Sequence, residues 1–89
     1  GLADIQPLHI SVFPLPAKDY VTIGLALTGD IKLRLCDIMG KEIPQESLQF
    51  EQHENYLLLD VRQLPTGGYS LSISKDGRNI GTFPILIHK

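Results

Sequence analysis

Apolar residues recur with a period of two along nearly the whole chain, and glycine, proline, asparagine or aspartate bounds each alternating run. That pattern predicts β-strands, because successive strand side chains point to opposite faces of a sheet. Leu8, Ile10 and Val12 alternate with His9, Ser11 and Phe13, and Val21, Ile23, Leu25 and Leu27 alternate with Thr22, Gly24 and Ala26. Ile31, Leu33 and Leu35 alternate with Lys32, Arg34 and Cys36, as expected of an antiparallel sheet with one wet face. Leu48 with Phe50, then Leu57, Leu59 and Val61, then Tyr69, Leu71 and Ile73 form three further inward sets, the last with Ser70, Ser72 and Ser74 facing outward. From Asn79 to His88 the inward set is Ile80, Phe83, Ile85 and Ile87, interrupted by Pro84. Proline cannot donate a ladder hydrogen bond, so this strand is predicted to lie at a sheet edge or to carry a bulge.

The connections agree with this reading. Thr28-Gly29-Asp30, Met39-Gly40-Lys41 and Asp76-Gly77-Arg78 each place a glycine where a tight turn needs positive φ. No stretch offers a sustained helical stripe with a capping residue, so no helix longer than one turn is predicted. About seven short strands in a chain of 89 residues predict an all-β, immunoglobulin-like antiparallel sandwich, with a small barrel as the alternative. Tyr69 stands at the start of a strand, two residues before the core position Leu71. In sandwiches of this kind such a tyrosine turns its hydroxyl back onto the upstream backbone, here within residues 63 to 67, and pins the corner.

Composition narrows the function classes. A chain this short supports a single modest core, burying about 60–65% of the surface its unfolded form exposes. Hydrophobic residues at 43% and charged residues at 20% place it among ordinary globular domains, not disordered segments. The net charge of −2, with signs interspersed, offers no basic stripe for nucleic acid. No apolar run approaches the roughly 20 residues that span a bilayer, and no signal-peptide pattern opens the chain. The opening Gly1-Leu2, without an initiator Met, suggests a piece of a longer protein, with residues 1–7 as a linker remnant and 8–89 as the sandwich.

Candidate chemistry is sparse. His9, His53 and His88 lie in separate segments without the close spacing of a metal site, and read as ordinary surface or strand histidines. Asp37, Glu42, Glu46, Glu51, Glu54 and Asp60 would need a cleft that shifts their pKa values to act as acid and base, and read as solvated outward positions. Cys36 is the one cysteine, so neither a disulfide nor a redox pair is available, and it reads as a half-buried small hydrophobe. The serine row offers hydroxyls but no aromatic anchors for a sugar. Leu64-Pro65-Thr66-Gly67 lacks the spacer residue of a cell-wall sorting box, and no phosphate-cradling loop precedes a helix. No catalytic, cofactor-binding or metal-binding residue is assigned.

Three segments together resemble the C-terminal sorting domain of the type IX secretion system of Bacteroidota, over about Ile10 to Lys89. Val12-Phe13-Pro14-Leu15-Pro16-Ala17-Lys18-Asp19-Tyr20-Val21 is similar to the opening Tyr/Phe-Pro-Asn-Pro box of that family. Asp37-Ile38-Met39-Gly40-Lys41-Glu42-Ile43 is similar to its Gly-Lys hairpin. Leu64-Pro65-Thr66-Gly67-Gly68-Tyr69-Ser70-Leu71 is similar to its Leu-Pro-x-Gly-x-Tyr approach to the penultimate strand, and Lys89 matches its basic ending. Physically, Pro14 and Pro16 stiffen the approach to the second strand, Gly40 supplies a turn, and Gly67 allows the corner before Tyr69.

The resemblance implies a non-enzymatic signal recognised by secretion-machinery proteins in the periplasm and outer membrane, with cargo that ends at the cell surface or secreted. Anionic lipopolysaccharide is a further candidate partner, because cargo of this family is commonly joined to it after cleavage. The motif residues Pro14, Pro16, Gly40, Lys41, Leu64, Pro65, Gly67, Tyr69 and Lys89 are the candidate recognition set, with recognition expected to involve the last two strands and Lys89. The sequence departs from the family at Leu15, where asparagine is usual, and at Thr82-Phe83-Pro84-Ile85, where a basic residue is frequent. A retained surface sandwich that binds lipopolysaccharide or another glycan is the alternative, and an inert spacer a third.

Overall fold

The computed structural model describes residues 10–24 and 29–89. The predicted linker over residues 1–7, the Leu8 and His9 start of the first strand, and Leu25 to Thr28 lie outside the described residues. Among the described residues, seven strands form two antiparallel sheets: β1 (Ser11–Phe13), β2 (Tyr20–Gly24), β3 (Ile31–Asp37), β4 (Gln49–Gln52), β5 (Tyr56–Asp60), β6 (Gly67–Lys75) and β7 (Arg78–Ile87). Their order is β1-β2-β5-β4 in one sheet and β3-β6-β7 in the other. This is the four-plus-three arrangement of a constant-type immunoglobulin sandwich, and two separate sheets rule out the barrel alternative. A single 3-10 turn, Gln45–Ser47, is the helical element among the described residues.

The alternation read from the sequence becomes the core. Val21, Ile23, Leu33, Leu35, Leu57, Leu59, Leu71, Ile73, Ile85 and Ile87 are all buried between the sheets. Leu48, just before the edge strand β4, and Phe50 within it are only half-buried, packed against the core from one side. Leu71, two residues beyond Tyr69, is fully buried in the middle strand of the three-stranded sheet. That is where immunoglobulin domains carry the second half of their inter-sheet disulfide, so close apolar packing replaces the covalent link here.

Glycine performs the predicted turn role at Gly29, Gly40 and Gly77, with φ of 113°, 83° and 84°. Strand β7 is both an edge strand and bulged: its register against β6 shifts between Ile73 and Ser74, leaving Ile80 as the extra residue. The bulge accounts for the three-residue step from Ile80 to Phe83 in the inward pattern. Both edges of this sheet are partly covered. On β7, the Ala17 amide donates to the Leu86 carbonyl and the His88 amide donates to the Ala17 carbonyl, each at 2.8 Å. By strand alternation Pro84 faces the same outer edge as Leu86, where it has no N–H to offer. On β3, the Ile43 amide donates to the Leu35 carbonyl at 2.7 Å and the Gln45 side-chain amide donates to the Leu33 carbonyl at 3.1 Å.

Candidate functional site

The outer face of the β3-β6-β7 sheet is floored by small residues of the central strand, Gly68, Ser70, Ser72 and Ser74. With β3 and β7 side chains rising on either side, this strand lies at the bottom of a trough. At one end the trough becomes an apolar groove of about 780 Å³. One wall comes from β3 and its hairpin, with Cys36, Asp37, Ile38 and Gly40. The other comes from the β1–β2 connector, with Leu15 and Pro16, and from β7, with Pro84, Ile85 and Leu86. Gly68, Tyr69 and Ser70 form the floor. Segments from all three sequence boxes thus meet on one surface together with the last strand.

Several apolar side chains at its rim are open to solvent: Ile38 is 80% exposed, Leu86 51% and Leu15 47%, beside Met39 at 86%. The hairpin that carries Ile38 and Met39 is held rigid. The Asp37 carboxylate accepts the Met39 and Lys41 amides, both at 2.9 Å, while the Gly40 amide donates to the Asp37 carbonyl. Asp37 is therefore half-buried and structural, unlike the solvated outward position expected of it. Local Asx bonding of this kind reinforces a turn that the Asp37 amide, donating to the Lys41 carbonyl at 2.9 Å, also closes.

The corner beneath the groove is pinned as predicted: the Tyr69 hydroxyl donates to the Pro65 carbonyl at 2.7 Å. Burial pushes the Tyr69 pKa up, and the nearby Asp37 carboxylate adds to the shift. Lys89 closes the same end. Its ammonium donates to the carbonyls of Lys18 at 2.6 Å, Val61 at 2.9 Å and Arg62 at 3.3 Å, and its amide donates to the Thr66 hydroxyl at 3.0 Å.

The candidate residues therefore divide. Pro16, Gly40 and Tyr69 line the groove. Leu64 is buried in the core behind it, and Pro65 is exposed but offers its carbonyl to Tyr69. Pro14 and Lys41 are exposed outside the groove lining, and both the Phe13–Pro14 and Leu15–Pro16 peptide bonds are cis. Gly67 does not serve the corner in the way expected. It lies inside β6 opposite Ile87, outside the left-handed region, and a Cβ there would meet only the Tyr69 ring at an ordinary 3.8 Å. Gly68 is the more closely approached of the two, because a Cβ there would stand 3.1 Å from Ile38 Cγ2, a tight contact that the exposed Ile38 side chain would have to yield to.

Gly68, Ile38, Leu15 and Leu86 were missed as site residues. Strand parity could have found three of them: Ile38 continues the outward set Lys32, Arg34, Cys36; Gly68 precedes the outward serines; and Leu86 sits between inward Ile85 and Ile87. Apolar or vanishing side chains on a wet face were the signal.

The opposite sheet carries a separate polar cluster. Arg62 grips the Asp60 carboxylate with two nitrogens, Nη2 to Oδ2 at 2.8 Å and Nε to Oδ1 at 3.1 Å, and lies 5.2 Å from the Tyr20 ring centroid. These hydrogen bonds hold the Asp60 carboxyl below the usual carboxylate range. On the same sheet His53 stacks on Tyr56 with ring centroids 4.5 Å apart and bonds Glu51. His9 lies outside the described residues. No helix of the described residues is long and apolar enough to cross a membrane.

Residues 11–85 match the family described as the secretion system C-terminal sorting domain. No curated protein matches the chain.

Proposed function

The chain belongs to the family of secretion system C-terminal sorting domains, and from that premise we propose that its folded sandwich is bound by secretion-machinery proteins through the apolar groove on the β3-β6-β7 sheet. A domain of this family is a C-terminal sorting signal for type IX secretion, which implies contact with the secretion machinery and export of the cargo across the outer membrane to the surface or beyond. It is not an enzymatic family.

The observation that carries the reading is the convergence of three sequence-distant boxes and the last strand on one groove with exposed apolar rims. An exposed apolar patch that is rigidly held, rather than scattered, marks an interaction site. In this reading Pro16, Gly40 and Tyr69 shape the groove, Leu64 and Pro65 support its floor and corner, and Lys41 braces the hairpin wall through its bonds to Asp37. The partner meets the domain in the periplasm. Binding proceeds through side chains in the groove and not by strand addition, since Ala17, Pro84 and the 41–45 segment blunt both sheet edges. Nothing favours the lipopolysaccharide alternative at this surface: Asp37, the charged residue in its lining, is an anion.

Fusing the chain to a periplasm-directed reporter in a Bacteroidota host with type IX secretion tests the reading. The expected result is reporter at the cell surface or in the medium. A reporter that stays in the periplasm, although the domain is folded, overturns it.

A further inference from the structure

Lys89 is exposed, yet its ammonium is turned back onto the backbone of two loops. An ammonium carries three N–H donors, and three backbone carbonyls converge on this one. They belong to two loops far apart in sequence: Lys18 in the β1–β2 connector, and Val61 and Arg62 in the β5–β6 connection. The same connector is tied at both neighbouring residues. Ala17 pairs with the end of β7 through Leu86 and His88, and the Val61 amide donates to the Asp19 carbonyl at 2.9 Å. Ala17 itself is fully buried. Immediately before it stand Leu15 and Pro16, which form one wall of the groove.

We infer that Lys89 is a positioning residue: its ammonium clamps the β1–β2 connector to the end of β7 and so fixes the Leu15–Pro16 wall of the groove. This rests on the groove being the bound surface, and it changes the part Lys89 plays, from a charge read by a partner to a clamp that holds another element in place. A guanidinium keeps the charge but not the geometry, since its planar fork cannot direct donors at three carbonyls arranged around a point.

Native-state hydrogen exchange on the 89-residue chain and its Lys89→Met and Lys89→Arg variants tests the inference. Met retains the apolar stem, and Arg retains the charge. The Ala17 and His88 amides, which make the connector–β7 bonds, are expected to exchange at least about tenfold faster in Lys89→Met, the scale set by losing hydrogen bonds to a charged donor. Amides in the β3–β6 ladder, such as Arg34 and Ser72, are expected to change less, and Lys89→Arg to resemble Lys89→Met. Unchanged exchange at Ala17 and His88, or an increase spread evenly over all ladder amides, overturns the clamp. So does wild-type exchange in Lys89→Arg, which would make charge alone sufficient. Because the readout is made on the isolated chain, failure of the clamp and failure of the secretion reading show in different experiments.

Discussion

Replacing Tyr69 with phenylalanine removes one hydroxyl and leaves the buried ring in place, which isolates the bond that pins the corner under the groove. The hydroxyl donates to the Pro65 carbonyl at 2.7 Å in a partly buried setting. The net value of such a bond is about 0.5–1.5 kcal/mol. For a domain of this size, about 1 kcal/mol corresponds to a drop in Tm of about 4–8 °C. Thermal unfolding followed by circular dichroism, with urea titration at constant m-value, measures both.

The pH dependence gives a second, independent readout. The fold raises the Tyr69 pKa by burial and by the proximity of Asp37. The neutral phenol is therefore the form the fold favours. Its contribution is fully present below the ordinary tyrosine value of about 10 and is lost as pH climbs through the raised folded-state value. The Tyr69→Phe variant has no group to titrate there and no such loss, so the stability gap between it and wild type should narrow above about pH 10. A Tm unchanged at neutral pH, or a gap that stays constant through about pH 11, would refute the buried, bonded hydroxyl.

Two further perturbations test the packing. Leu71→Ala in the fully buried centre of β6 is expected to cost about 2–5 kcal/mol in urea unfolding, because no disulfide backs up this position; a cost below about 1 kcal/mol would contradict a close-packed inter-sheet contact. Gly81→Ala places a Cβ 2.6 Å from the tip of the Phe83 ring, so it should destabilise by about 1–3 kcal/mol, and Phe83→Leu in the same chain should recover part of that loss.

The strands were legible because two-residue periodicity depends only on neighbours along the chain. Val21 with Ile23, Leu33 with Leu35 and Leu71 with Ile73 all went inward as the pattern required. The Tyr69 corner was legible for the same reason, since its partner Pro65 lies four residues upstream. Pro84 announced an edge through chemistry it carries itself. The groove was not legible in this way. The close approach at Gly68 arises from the register Asp37↔Tyr69 between β3 and β6, which brings Ile38 across the strand. The motif drew attention to Gly67, the neighbour on the other parity. The Lys89 clamp was further from view, because it joins positions 71 and 28 residues apart that meet only after both sheets have closed. A basic residue in a sequence reads as a surface charge, and nothing local signals that three carbonyls await it.

The most direct test of the groove as the recognised surface is surface display of the reporter fused to the double variant Ile38→Gln, Leu86→Gln. Both side chains are at least half exposed, so the variant should unfold within about 0.5 kcal/mol of wild type per site. Tyr56→Gln, on the outer face of the opposite sheet, serves as the matched control. A signal read through the groove predicts that the double variant leaves the reporter in the periplasm while Tyr56→Gln exports it normally. Normal display of the double variant, or equal loss in both, would contradict it.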